Sequence, residues 1–222
     1  MKKINYRELI VYTLGMIILA IGLTLSTKLS LGTSALMALP HAISEIYQLN
    51  FGNVTLFYYI VLIIIQVIIH IIMKKYKNII GDLLQLLISI IFTRLINLLN
   101  TLIPTFNSLN NVFSSIYMRI IIYLLAIILI GIGAALSIKT KYPPNPADGL
   151  IKTITEISKK NLGTIKNFTD ITLVTITCIF SYIKCNKIIG VGIGTIMAML
   201  GVGRVIYYFN KTIGKKIDNY IK

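Results

Sequence analysis

Seven acidic residues occur in 222, and five of them, Glu45, Asp82, Asp148, Glu156 and Asp170, fall in or beside apolar stretches. An ionisable side chain at membrane depth is expensive to keep there and is by default a functional candidate. Asp148 has the most distinctive setting, because it follows Pro143-Pro144-Asn145-Pro146-Ala147. A proline run of this kind cannot be helix interior, so it ends one helix and starts another. Asn145 or Asp148 then stands at a helix N-terminus, where a carboxylate or amide oxygen meets unpaired N–H groups. Two readings follow. Asp148 caps the helix, or the broken helix end lines a cavity in which Asp148 binds a cation or a proton.

The other candidates divide in the same way. Glu45 and Glu156 either face water or help to form a site, and a solvated face is the simpler role for each. Asp82 and Asp170 are expected near span ends, within reach of headgroup water. Arg94 and Arg204 either snorkel to an interface or meet an anionic group of a solute. His70 lies four residues from Gln66, a spacing that suits a packed hydrogen bond on one helical face. The candidate binding residues are therefore Asp148, Asn145, Glu45, Glu156, Arg94 and Arg204. No His/Cys metal cluster, phosphate-binding glycine loop or nucleophile signature is present, so neither a metal, nor a cofactor, nor enzymatic activity is expected.

These residues need elements to hold them, and composition says which. The chain is 56% hydrophobic and 13% charged, against roughly 25% charged for soluble domains. The apolar residues run in blocks such as Ile60–Ile72 and Ile120–Ile132. A helical span needs about 20 such residues, and helices leave no backbone group unpaired in lipid. Six segments qualify, at about 8–27, 54–73, 79–99, 116–138, 168–183 and 188–209, the fifth being short and rich in Thr. Two more polar segments, 33–50 and 143–163, keep helical apolar spacing and read as re-entrant or interfacial helices. In the last span Gly190, Gly194 and Ala198 stand four apart, a small-residue face for close helix packing.

The net charge of +15 then reports topology rather than nucleic-acid binding. With Lys2, Lys3 and Arg7 inside, six crossings put sixteen basic residues on the cytoplasmic side and only Lys28, Lys184 and Lys187 outside. Both termini are expected in the cytoplasm.

The chain also repeats itself. Shifted by 111 residues, positions 6–60 give 18 identities in 55. Gly22 meets Gly133, Lys28 meets Lys139, and Glu45 meets Glu156. Three spans per half is an odd number, so the second half is expected to be inverted. The predicted fold is a single all-α polytopic membrane domain of about six transmembrane helices and two shorter helices. It is built as two inverted-topology repeats, about 1–111 and 112–222.

Leu31-Gly32-Thr33-Ser34-Ala35 through Pro40, with Leu49-Asn50-Phe51-Gly52, resembles the repeated signature of the YczE/YyaS/YitT family of bacterial integral membrane proteins. Pro146-Ala147-Asp148-Gly149-Leu150 through Asn161-Leu162-Gly163 is similar to its second copy, and Gly192-Ile193-Gly194-Thr195 to its glycine-rich last span. Met37 departs from the pattern, standing where the second copy has Asp148. The resemblance implies a multi-pass protein of a bacterial cell membrane, without a known cofactor. Together these features suit a secondary transporter or permease-like carrier of an unknown small solute, with a site between the repeats. The competing reading is a non-transporting membrane protein that assists a partner protein. The expected partners are the bilayer and the solute, with no nucleic acid, and self-association into a homo-oligomer stays open.

Overall fold

The computed structural model describes residues 5–106 and 115–221. Lys2, Lys3 and Lys222, three of the basic residues counted above, lie outside the described residues. Among the described residues the elements are all helical: α1 (Tyr6–Lys28), α2 (Ala35–Tyr47), α3 (Phe51–Ile72), α4 (Tyr76–Leu102), α5 (Ile116–Lys139), α6 (Pro146–Ser158), α7 (Leu162–Cys185), α8 (Ile193–Thr212) and α9 (Gly214–Ile221). Six of them are long and apolar enough to cross a membrane, namely α1, α3, α4, α5, α7 and α8. Their outward faces carry Ile64, Ile68, Ile91, Leu124 and Ile179, large apolar side chains that stay exposed among the described residues. The short α2 and α6 instead carry buried side chains along much of their length.

α1 and α5 form the most extensive helix pair and run antiparallel. At one end the Glu8 carboxylate accepts from the Lys141 backbone N–H, and Tyr12 donates to the Pro143 carbonyl at 2.9 Å. At the other, Arg119 donates to the Leu29 carbonyl at 2.7 Å. Glycines bring the two helices together. A Cβ on Gly133 would stand 2.5 Å from Leu19 N, and one on Gly22 would stand 2.8 Å from Ile130 N. The α1 start, the α3–α4 turn and the 140–144 segment share one face, where Lys75 meets Glu156 at 3.2 Å and Lys139 meets Asp218 at 2.8 Å. The opposite face gathers the 29–34, 48–50 and 186–192 segments.

The two short helices match the expected polar segments, and each ends in a left-handed residue, Gln48 and Lys159. Their bounds coincide under the 111-residue shift, as do the Asn50 and Asn161 caps of α3 and α7. Three differences from the sequence expectation stand out. α7 begins at Leu162, not near 168, because Asn161 caps it and its first turns carry polar residues. α8 begins at Ile193, so Gly190 is not part of a helical small-residue face. Gly190 sits at φ +82° and its carbonyl accepts from Thr33 N at 2.9 Å, while Gly194 N donates to the Leu31 carbonyl at 2.8 Å. These two bonds interlock the 29–34 and 186–192 segments. The third difference is the added helix α9, whose end accepts a hydrogen bond from Asn5 at the Ile221 carbonyl.

Candidate functional site

The N-termini of α2 and α6 open onto one cavity of about 90 Å³ lined by α1, α2, α3, α5, α6, α7 and α8. At the α6 end, Asn145 caps the helix by accepting from Ala147 N at 3.0 Å, and Pro146 occupies the first helical position, where it has no N–H to lose. The same Asn145 amide donates to the Tyr59 hydroxyl at 2.8 Å, which fixes the cap against α3. At the α2 end, Ser34 holds the cap position without making the cap bond, and its buried hydroxyl has no partner among the described residues. α7 contributes Lys166 and Asp170, one turn apart and bonded Nζ to Oδ2 at 2.6 Å. Asp170 is 1% exposed and its other oxygen, Oδ1, has no partner among the described residues. The remaining wall is apolar: Leu19, Leu23, Ile130, Ala134, Met37 and Val202.

Asp148 is the third residue of α6 and lines the same cavity, close enough to Lys166 and Asp170 to feel both charges. Burial pushes its carboxyl up from the ordinary range to about 6; Lys166 pulls it down and Asp170 pushes it further up. The cavity thus holds two carboxyls and one ammonium in apolar surroundings.

Of the six residues singled out from the sequence, the structure brings Asn145 and Asp148 together here and leaves four elsewhere. Glu45 lines a separate polar basin of about 520 Å³ with Lys28, His41, Ser44 and Asn50, on the face of the 29–34 and 186–192 segments. Glu156 lines another polar basin, of about 290 Å³ and on the opposite face, where it pairs with Lys75. Arg94 is exposed and donates to Asn53 Oδ1 at 2.9 Å, and Arg204 is exposed on α8. Asp82 and Asp170, expected near headgroup water, are both buried, at 4% and 1% exposure. The reason is a partner for each: His70 Nδ1 lies 2.6 Å from Asp82 Oδ2, and Lys166 meets Asp170. His70 therefore bonds across to α4 rather than to Gln66, which pairs with Gln85 and donates to the Pro146 carbonyl at 3.1 Å.

Sequence reasoning passed over Tyr59, Lys166, Asp170 and Ser34 as site residues. The 111-residue shift held the signal. Position pairs 19/130, 23/134, 34/145, 36/147, 37/148 and 59/170 all line the cavity, and each pair is separated by 111. The two polar basins correspond in the same way, through 30/141, 32/143, 33/144, 41/152 and 45/156.

Six apolar spans around two short helices that meet at a central cavity define a polytopic α-helical protein of membrane type. Residues 6–211 match the family of unknown function DUF6198, and the chain belongs to that family. It is similar to the uncharacterized protein YyaS of Bacillus subtilis (strain 168), with 26% identity over 198 residues, covering 89% of this chain and 90% of the relative. No solved structure matches the chain.

Proposed function

We propose that the protein is a secondary carrier of a small solute, built from two inverted repeats and resident in a bacterial plasma membrane with both termini in the cytoplasm. The observation that carries this reading is the correspondence of cavity-lining positions under the 111-residue shift. A cavity whose two walls come from equivalent positions of antiparallel halves lies on a pseudo-two-fold axis, where such carriers hold their solute. Equivalent polar basins on opposite faces, at the C-terminal ends of α2 and α6, supply an entrance and an exit. The barriers between them differ. The interlocked 29–34 and 186–192 segments close one side, and the Gln66–Gln85 pair against Pro146 closes the other. Rocking one half against the other exchanges which barrier is open.

The test needs no knowledge of the solute. Met37 lines the cavity and is 1% exposed. In a Cys178→Ser/Cys185→Ser background, Met37→Cys is treated with a membrane-impermeant thiol reagent in sealed vesicles of either orientation. A carrier gives modification from both faces. Modification from neither face defeats the carrier reading and leaves a closed scaffold, as a partner-assisting protein would be.

A further inference from the structure

The charges in the cavity come from one half only. Ser34, Met37 and Tyr59 of the first half are neutral, and their counterparts in the second are Asn145, Asp148 and Asp170, with Lys166 added from α7. Lys166 and Asp170 neutralise one another across 2.6 Å. Asp148 is left over. Among the lining residues α1 brings Leu19 and Leu23, α2 the 34–37 segment, α5 Ile130, Ala134 and Ile138, and α8 Ala198, Met199, Val202 and Ile206, none of them titratable. α3 brings Tyr59, with Tyr58 beside it close enough to sense Asp170. Asp82, on α4, is engaged with His70 in the basin beyond α6. Asp148 is half-buried and lines the cavity, and a carboxylate in such apolar surroundings is stabilised by a proton or by a paired cation.

The wall decides which cation. A hard metal ion takes six or more oxygen ligands, and the described residues hold no cluster able to ligate a metal. A cation with a hydrocarbon body fits both parts. An ammonium donates three hydrogen bonds, and the cavity offers the Asp148 carboxylate with Asp170 Oδ1 and the Ser34 hydroxyl, both without a partner among the described residues. The hydrocarbon then lies against Leu, Ile and Met side chains. A cavity of about 150 Å³ holds the six carbons of benzene, so about 90 Å³ suits about four non-hydrogen atoms, an alkylammonium of two or three carbons.

We propose that the cavity binds a small alkylammonium in exchange for one proton, which makes the carrier an organic-cation/proton antiporter. This rests on the carrier reading above. The exchange is R–NH₃⁺ plus the Asp148 carboxylic acid giving the R–NH₃⁺ carboxylate ion pair plus H⁺. The carboxyl O–H bond breaks, its electron pair stays on oxygen, and the proton leaves to water; no bond to nitrogen changes.

The test is proton release on binding. Propylammonium chloride is added to the purified full-length protein in weakly buffered detergent, with propanol as the neutral control. Released protons are expected to approach one per bound cation near about pH 5 and to fall toward none near about pH 8, since the carboxyl is already ionised there. Propanol releases none. Asp148→Asn loses the release and weakens binding by at least about tenfold, while Asp148→Glu restores both. The wild-type pH series and Asp148→Glu carry the test even where Asp148→Asn does not fold. Binding of propylammonium without release, or equal binding of propanol, overturns the proposal. Absence of propylammonium binding together with two-sided Met37→Cys modification also overturns it and leaves the carrier standing. Modification from neither face removes the carrier itself.

Discussion

Adding one methyl group to a glycine should have opposite effects at two kinds of position in this bundle. At Gly133 a Cβ would lie 2.5 Å from Leu19 N and 2.7 Å from Gly15 O. Both are backbone atoms of α1, so no side-chain rotation relieves the clash and the helices must separate. Overpacking of this kind destabilises by about 1–3 kcal/mol, and the tightness here argues for the upper end. Alanine returns about 1 kcal/mol as a better helix former than glycine. The net expectation for Gly133→Ala is a loss of about 2 kcal/mol, or about 4–8 °C in melting temperature for a chain of this length. At Gly81 and Gly203 a Cβ would meet nothing within 4 Å. There the propensity gain stands alone, and Gly81→Ala and Gly203→Ala should be neutral or stabilising by up to about 1 kcal/mol. The assay is thermal unfolding followed by helical circular dichroism in one detergent at one protein concentration. Were Gly133→Ala to melt at or above the wild type, the close α1–α5 contact would be wrong. Were Gly203→Ala to fall as far as Gly133→Ala, a general penalty for changing glycine would explain both.

Two further predictions concern the polar groups. Asp82→Ala and His70→Ala should each lower the melting temperature, since either leaves a buried partner unsatisfied, and the double variant should lose about 1–3 kcal/mol less than their sum; strictly additive losses would show that the 2.6 Å contact contributes nothing. In a cysteine-free background, Gln48→Cys and Lys159→Cys occupy equivalent exposed positions at the ends of α2 and α6. On intact cells an impermeant thiol reagent should reach only Gln48→Cys, and equal labelling of both would contradict the inversion.

Much of this architecture was legible in the sequence because lipid imposes a simple rule on length and polarity. The spans were visible as apolar blocks, and α2 and α6 as segments too polar to cross yet still helically spaced. The start of α8 was not legible. Its glycines suited a helical face equally well, and the left-handed φ of Gly190, with the hydrogen bonds from Thr33 to Gly190 and from Gly194 to Leu31, shows that the helix starts only at Ile193. Asn145 and Asp148 could be read from the proline run. Lys166 and Asp170 could not, because their i, i+4 spacing is also that of an ordinary surface pair. What buries them is the approach of α2 to α7 from the other half of the chain. Glu45 and Arg94 failed to join the site for the opposite reason: a charge beside a span is equally well served by water or by a neighbouring amide.

The way the halves share helices has a consequence for biosynthesis. α1 packs most extensively on α5, α2 on α7, and α6 on α3, so each half leaves the larger part of its interior to be completed by the other. While the ribosome is still making α5, the first four helices have no partner for the glycine-bearing side of α1 or for the cavity side of α2. They must wait in the bilayer as an open assembly, exposed to translocation factors and membrane proteases until the second half arrives. Contacts between residues about a hundred positions apart then form late and together. The two halves made as separate chains should therefore be short-lived alone and persist when produced side by side.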